Sequence, residues 1–311
     1  MHRLSVIDIG TNSVLYQLVE KKPDGTIVPD IQDIRNVRLG EGLSPAGIRK
    51  AAQDRLLPIL HDFKKLAESH HCDRTVIVGT RVFRAASNAE DICRRVLSET
   101  DLHIEILSPQ EEAIWSFYGA VYDQSEKMIS VIDIGGGSTE ISSPDKDSIQ
   151  SVSMNIGAVT LTERHFRHDP PLSHEIQAAN GEIDTALRSA GHINHPGARW
   201  IGTGGTVTTL AAMHMRLKQY KADRVHGQNL SMRHIRKLLE TMTRQTLIER
   251  QKQIPFDPSR ADIIIAGTLI LNRMMTTGAC QTLTISDRGL RFGIALRELA
   301  AVSKTEFYEK G

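Results

Sequence analysis

Val131-Ile132-Asp133-Ile134-Gly135-Gly136-Gly137-Ser138-Thr139-Glu140 is the stretch on which the reading of this chain turns. Two runs rich in β-branched residues flank three consecutive glycines, the pattern of a buried strand that doubles back into a second strand. Glycine has no Cβ, so the backbone N–H groups of such a turn can close around an anion as a nest. Asp133 closes the first strand and Glu140 opens the second, which places two carboxylates beside one turn. Mg²⁺ takes one or two carboxylates together with substrate phosphate oxygens, so the stretch reads as a phosphate cradle with a seat for a hard divalent cation. Its expected phosphate-binding residues are Gly135, Gly136, Gly137 and Ser138, and its expected metal ligands are Asp133 and Glu140.

The phrase recurs upstream. Val6-Ile7-Asp8-Ile9-Gly10-Thr11-Asn12-Ser13 agrees with Val131 to Ser138 at six of eight positions, at an offset of 125 residues. Asp, Gly and Ser recur in register, not only the apolar positions, which separates the match from a chance likeness of two hydrophobic hairpins. It predicts two related halves facing each other across a cleft. Asp8 stands in the first copy where Asp133 stands in the second, and joins the candidate metal ligands.

The totals agree with a two-domain protein. A chain of 311 residues is long for one hydrophobic core. A net charge of +1, from 38 basic against 37 acidic side chains, argues against a dedicated nucleic-acid binder while leaving room for a local basic groove. Cys72, Cys93 and Cys280 are widely spaced and form no C-x-x-C, so neither a disulfide framework nor a zinc site is expected. No apolar segment of signal-peptide length opens the chain, and the apolar run from Ile263 to Leu271 is too short to cross a bilayer, so the expected location is cytoplasmic, with no membrane partner.

Taken in order, the chain predicts strands at Leu4–Ile9, Val14–Glu20 and Thr26–Val37. A glycine-rich loop, Arg38 to Leu43, then leads to a helix capped at Ser44-Pro45 that runs to about His70, with Pro58 expected to kink or interrupt it. A strand at Asp73–Gly79 delivers Arg84 at its C-terminal end, where ligands sit in open α/β sheets. After a helix at Ala89–Thr100 and a strand at Leu102–Leu107, Ser108, Pro109 and Glu111 form a capping box, which occupies Glu111 and leaves Glu112 without a helix-capping task. The second half predicts strands at Met128–Asp133 and Gln150–Ile156 and helices at Ala158–Phe166 and Ser173–Ala190. A third small-residue loop, Gly202 to Thr208, opens a helix whose N-terminal amides at Gly204, Gly205 and Thr206 suit a phosphate. Val225-His226-Gly227 is expected to close an extended segment before a helix at Ser231–Arg244. A strand at Thr282–Ser286 and a final helix to about Val302 complete the expectation.

These motifs together resemble the exopolyphosphatase and guanosine pentaphosphate phosphohydrolase (Ppx/GppA) family of the actin-like ATPase superfamily. The resemblance spans essentially the whole chain, through Asp8 to Ser13, Arg38 to Leu43, Glu111-Glu112-Ala113, Asp133 to Glu140, Asn155 to Val159, Gly202 to Thr206, Val225 to Gly227 and Ser286 to Arg291, all in the family's order. It implies an α/β fold of two ribonuclease-H-like lobes with mixed five-stranded sheets, 1–124 and 125–311, an active site in the interlobe cleft, and no additional C-terminal HD-like domain. It implies Mg²⁺-assisted release of the terminal phosphate of inorganic polyphosphate or of pppGpp, with Mn²⁺ as a substitute metal and a homodimer allowed. By position, Glu112 resembles the family's catalytic carboxylate, Asp133 and Glu140 its metal ligands, and Asn12, Ser13, Arg84, Gly136, Gly137 and Ser138 its phosphate-binding set. The chain departs from the pattern at Phe83 and Ala85, which flank Arg84, and at Arg291-Phe292-Gly293, where a carboxylate is missing.

Two other readings use the same residues: a low-activity (p)ppGpp-binding sensor, and an actin-like ATPase or kinase. The kinase reading lacks an acceptor-binding base, an adenosine pocket and a Walker A loop. The dipeptides His61-Asp62 and His168-Asp169 lack the partners of an HD metal site and are expected to be structural. His226 is expected to pack, and Arg288 and Arg291 to line a polyanion groove or to pair with acids.

Overall fold

The computed structural model describes residues 2–126, 128–146, 148–191 and 197–299. They form two compact units, one made of the described residues of 2–119 together with 290–299, the other of those in 120–289.

The first unit begins with the meander β1 (Arg3–Ile9), β2 (Ser13–Lys21) and β3 (Ile27–Asn36). Helix α1 (Lys50–Ser69) leads to β4 (Arg74–Gly79), followed by the short helix α2 (Arg81–Ala85), α3 (Ala89–Thr100), β5 (Ile104–Ile106) and α4 (Pro109–Val121). The sheet order is β3-β2-β1-β4-β5, antiparallel through the meander and parallel from β1 outward. Alternation buries Tyr16 and Leu18 of β2 with Phe63 of α1, the Tyr16 and Phe63 ring centroids 5.0 Å apart.

The second unit repeats the plan. Strands β6 (Ile129–Ile134), β7 (Thr139–Asp145) and β8 (Ser148–Met154) form a meander, and α5 (Ala158–His165) and α6 (Ser173–Ala190) follow. Then come β9 (Arg199–Thr203), α7 (Gly204–His214), α8 (Ala222–Val225), β10 (Asn229–Ser231), α9 (Met232–Met242) and α10 (Leu247–Gln253). Helix α11 (Ile264–Thr277) and β11 (Thr282–Ile285) complete it, and α12 (Leu290–Leu299) closes the described chain. Read from β8, the sheet runs β8-β7-β6-β9-β11-β10, the order and directions of the first sheet with one strand added. Its core is the apolar helix α11 against α5, α6, α7 and α9.

Several expectations are corrected. The second sheet has six strands, not five, because Asn229–Ser231 pairs antiparallel with β11. Helix α1 starts at Lys50 rather than at Ser44. The Ser44 carbonyl accepts the N–H of Gly47, and Gly47 takes a φ of 91° against the side chain of Asn88, a tight turn that no helix can run through. Pro58 does not interrupt α1. It lies on the exposed face of the helix, where the donor it lacks is least costly. Ala222–Val225 is a helical turn, not an extended segment.

The division expected from the sequence placed 290–299 in the second lobe. Helix α12 packs instead on β1 and β2 of the first sheet, with Phe292 fully buried. A Cβ on Gly293 would collide with the Trp115 carbonyl of α4, so the small residue lets two helix backbones meet. Arg291 donates to the Tyr16 carbonyl at 3.1 Å. The expected end of the last helix near Val302 lies outside the described residues.

Candidate active site

The two copies of the repeated phrase fold into the same turn. The Gly10 N–H donates to the Ser13 carbonyl at 3.0 Å, and the Gly135 N–H donates to the Ser138 carbonyl at 3.0 Å. Among the described residues no backbone carbonyl accepts from the N–H groups of Thr11, Asn12, Gly136 or Gly137. Each turn therefore presents consecutive donors of the kind that cradle an anion.

In the second unit the turn is held from behind. The Gly135 and Gly136 carbonyls accept from the Ala158 and Val159 N–H groups at 3.0 and 2.8 Å, so the first amides of α5 are spent on the turn. Gly157 lies so close that a Cβ there would stand 2.5 Å from the Gly136 carbonyl carbon. Asp133 and Glu140 are direct cross-strand partners. Opposite residues of an antiparallel pair share a face, with Cβ atoms about 4.5–5.5 Å apart, so the two carboxylates flank one point. Glu140 is buried and accepts from the Ser153 hydroxyl at 2.6 Å. Gly204, at φ 87°, brings the start of α7 beside Asp133, since a Cβ on it would stand 2.6 Å from Asp133 Oδ1. The turn, the carboxylate pair and the Gly204-Gly205-Thr206 loop thus come together in one unit.

Two oxygens on one side of a phosphate nest suit a hard cation that completes its shell with substrate oxygens and water. Among the described residues no three His, Cys, Asp or Glu side chains converge, so the protein forms no closed metal cage there. The donor set of Asp133 and Glu140 fits Mg²⁺ or Mn²⁺ and does not fit structural zinc.

In the first unit Asp8 occupies the equivalent of Asp133, buried at 8% exposure, but its cross-strand partner is Leu15. Asn12 and Ser13 are tied to β3: Asn12 Nδ2 donates to Asn36 Oδ1 at 3.1 Å, and the Ser13 hydroxyl donates to the same oxygen at 2.5 Å. The capping box forms as expected, with Ser108 and Glu111 exchanging hydrogen bonds at the start of α4. Glu112, one residue on, receives Arg84 Nη1 at 2.7 Å, and the same nitrogen donates to the Leu107 carbonyl at 2.7 Å. Both side chains are partly buried, 20% and 15% exposed, so the pair is partly shielded from water. Helix α2, only five residues long, follows β4 and aims Arg84 at α4.

Asn36 and Arg260 carried no sequence signal that singled them out, and Gly157 was marked only as part of a longer motif. Asn36 reaches the first turn only through sheet register with Ser13. Gly157 is a motif residue whose task is close approach. Arg260 lies over Gly205 at the start of α7, its Nε donating to Asp257 at 2.9 Å. His226 is a packing residue: its Nε2 pairs with Asp123 at 2.7 Å and its Nδ1 accepts the Asp287 N–H at 3.2 Å. Burial opposes ionisation of Asp123, yet the His226 and Gln124 hydrogen bonds and nearby charge hold its carboxyl below the ordinary value. Arg288 pairs with Asp123 at 3.4 Å, and His168 and Asp169 are engaged by Glu175 and Arg250.

Comparison with known proteins bears on the same arrangement. Residues 18–302 match the family model described as the Ppx/GppA phosphatase family. Exopolyphosphatase 2 of Mycobacterium tuberculosis is 30% identical, over 94% of this chain and 98% of that protein. The guanosine-5'-triphosphate,3'-diphosphate pyrophosphatase of Aeromonas hydrophila is 26% identical over 93% of this chain, which spans only 58% of that protein. Among solved structures, the Aquifex aeolicus Ppx/GppA family member superposes with a TM-score of 0.82 at 30% identity, covering 96% of this chain and 98% of that one. With two matching sheets, a duplicated phosphate turn and an ion-paired acid at the head of α4, this chain belongs to the Ppx/GppA phosphatase family and is a phosphoanhydride hydrolase.

Proposed function

We propose that this protein removes the terminal phosphate of inorganic polyphosphate in a Mg²⁺-dependent reaction, with the equivalent phosphoanhydride of pppGpp as the alternative substrate. The observation that carries the reading is the cross-strand pair Asp133 and Glu140 beside the Gly135–Ser138 turn. Polyphosphate is favoured over pppGpp because the exopolyphosphatase relative is matched over nearly its full length, and the pyrophosphatase over little more than half.

Phosphoryl transfer asks a protein mainly to neutralise charge and to hold a water in line with the leaving oxygen. In the second unit the amides of Gly136 and Gly137 and the hydroxyl of Ser138 bind phosphoryl oxygens, and in the first unit the amides of Thr11 and Asn12 and the hydroxyl of Ser13 offer the same chemistry. Gly204, Gly205 and Thr206 add the N-terminal amides of α7, and Arg260 adds a guanidinium beside them. Asp133 and Glu140 would hold a Mg²⁺ ion, which when bound would supply Lewis-acid neutralisation of the transferred group. Glu112 takes the proton of the attacking water as its oxygen bonds to phosphorus and the bridging P–O bond breaks, leaving the shortened chain with the bond's electron pair. Arg84 orients that carboxylate through one oxygen and offers its other N–H groups to the substrate.

The test is phosphate release from polyphosphate, pppGpp and ATP by the purified protein in Mg²⁺, beside a Glu112→Gln variant. The parent should release phosphate without an acceptor, and the variant should lose about 10²–10⁴ in kcat while still binding substrate. A parent that binds pppGpp tightly but turns over neither compound is a sensor; parent-like kcat in Glu112→Gln removes Glu112 from the mechanism.

A further inference from the structure

A net charge of +1 for the whole chain conceals a strong asymmetry. Residues 214–244 carry eight Lys and Arg against two Asp and Glu, a net of +6, which leaves the rest of the chain at −5. Arg216 and Lys218 follow α7, Arg224 lies on α8, and Arg233, Arg236 and Lys237 lie along α9, all six exposed. Helices α8 and α9 both pack on α7, and the stacked rings of His214 and His234, 3.9 Å apart, join the end of α7 to α9. Glu240 is taken by Arg244 at 2.8 Å, and among the described residues none of the six cations makes an ion pair. Arg233, Arg236 and Lys237 stand at i, i+3 and i+4, so they share one helix face, opposite the buried Met232, Ile235 and Met242. Concentrated like charge on a folded surface is repulsive unless an anion meets it.

We propose that this face is an exosite for the distal part of an inorganic polyphosphate chain whose end is held at the active site; the assignment rests on the phosphatase reading above. Proteins that grip single-stranded nucleic acid add aromatic platforms to the charge. The one Phe, Tyr or Trp between 214 and 244 is Tyr220, which is half-buried with its hydroxyl on Asp287, and the His214 and His234 rings are stacked on each other. A bilayer surface calls for an apolar flank, and no exposed large apolar side chain among the described residues falls in the segment. What remains is charge alone, which suits a polyanion with neither bases nor acyl chains. The distance is also suitable. Helix α7 opens with the Gly204-Gly205-Thr206 loop, and its 11 residues put the cationic face roughly 16 Å from that loop. Short polyphosphates cannot span this; long ones can.

The experiment uses the full chain and the triple variant Arg233→Gln/Arg236→Gln/Lys237→Gln, with an unchanged melting temperature as the check on folding. For long-chain polyphosphate in about 0.15 M salt, KM should rise about tenfold with kcat unchanged, while tripolyphosphate kinetics stay as in the parent. Binding of long-chain polyphosphate followed by equilibrium dialysis in EDTA, where no turnover is needed, should show a log affinity versus log salt slope shallower by about two in the variant. Equal affinity and equal slope in parent and variant overturn the exosite. An RNA oligonucleotide bound as tightly as polyphosphate, and released by the same substitutions, overturns the polyphosphate assignment in favour of nucleic acid. A parent that hydrolyses no polyphosphate but binds it through these three residues supports the exosite and sinks the activity reading instead.

Discussion

The turns at Gly10–Ser13 and Gly135–Ser138 share a backbone and differ in what surrounds it. Both close with the same 3.0 Å hydrogen bond, and both follow a strand ending in Asp-Ile. Around the first, Asn12 and Ser13 project side chains that Asn36 holds in place, and Asp8 faces Leu15 across the ladder. Around the second, two glycines remove side chains altogether, Gly157 closes in behind them, and Asp133 faces Glu140. A duplicated scaffold has been divided into a turn clasped by side chains and a turn flanked by two carboxylates. The position of Leu15 and Glu140 is where the two turns differ in carboxylate count, and a second carboxylate on the same face is what a hard cation requires.

That contrast is open to direct attack. The largest effect is expected for Glu140→Leu, which gives the second turn the partner found in the first. Activity in Mg²⁺ should fall by at least about 10²-fold, and any thermal stabilisation of the parent by Mg²⁺ should disappear. Retained Mg²⁺-dependent turnover would show that the asymmetry of the turns has no bearing on the metal. Gly157→Ala should cost about 1–3 kcal/mol in denaturant unfolding and a larger share of activity, because the new methyl must displace the Gly136 carbonyl. If the variant unfolds early but keeps parental kcat and KM, the turn tolerates displacement and its exact geometry is not what binds phosphate.

Asn36→Ala leaves the first turn's backbone intact and frees Asn12 and Ser13. The expected result is a severalfold rise in KM, corresponding to about 1 kcal/mol in all for the two lost hydrogen bonds, with kcat little changed. A fall in kcat alone would move these side chains from substrate binding to the chemical step. The smallest effect is a control remote from both turns. Glu175 is held down to about 2 from an ordinary 4.5, first by its hydrogen bond with His168 and then by the Leu172 and Arg167 amides, against the opposing cost of burial. A depressed carboxyl stabilises the fold above its unfolded pKa and loses that contribution as pH falls through the folded one. Melting temperature should therefore decline between pH ~4.5 and ~2 in the parent, and Glu175→Gln should flatten that decline without changing turnover at neutral pH. An identical acid limb in the variant would assign the decline to other carboxylates.

Much of this was readable before any coordinates. The order of strands and helices followed from period-two and period-3.6 patterning, the capping box at Ser108 and Glu111 from local hydrogen-bond chemistry, and the repeated turn from a phrase conserved within the chain itself. Such features depend on residues close in sequence, where the energetics are settled by a few neighbours. The errors share a different cause. The start of α1 was misplaced because Gly47 turns against Asn88, 41 residues away. The sixth strand was missed because three residues become a strand only when β11 offers an edge.

The amino-acid order alone thus determined that there are two halves, that each carries the same glycine turn, and which carboxylates stand beside them. Only the tertiary structure decided that Asn36 braces the first turn, that Gly157 and α5 brace the second, that Arg84 grips Glu112, and that α12 returns to the first sheet. Those contacts are made between residues distant in the chain, and their energy comes from packing and register, which no local pattern encodes.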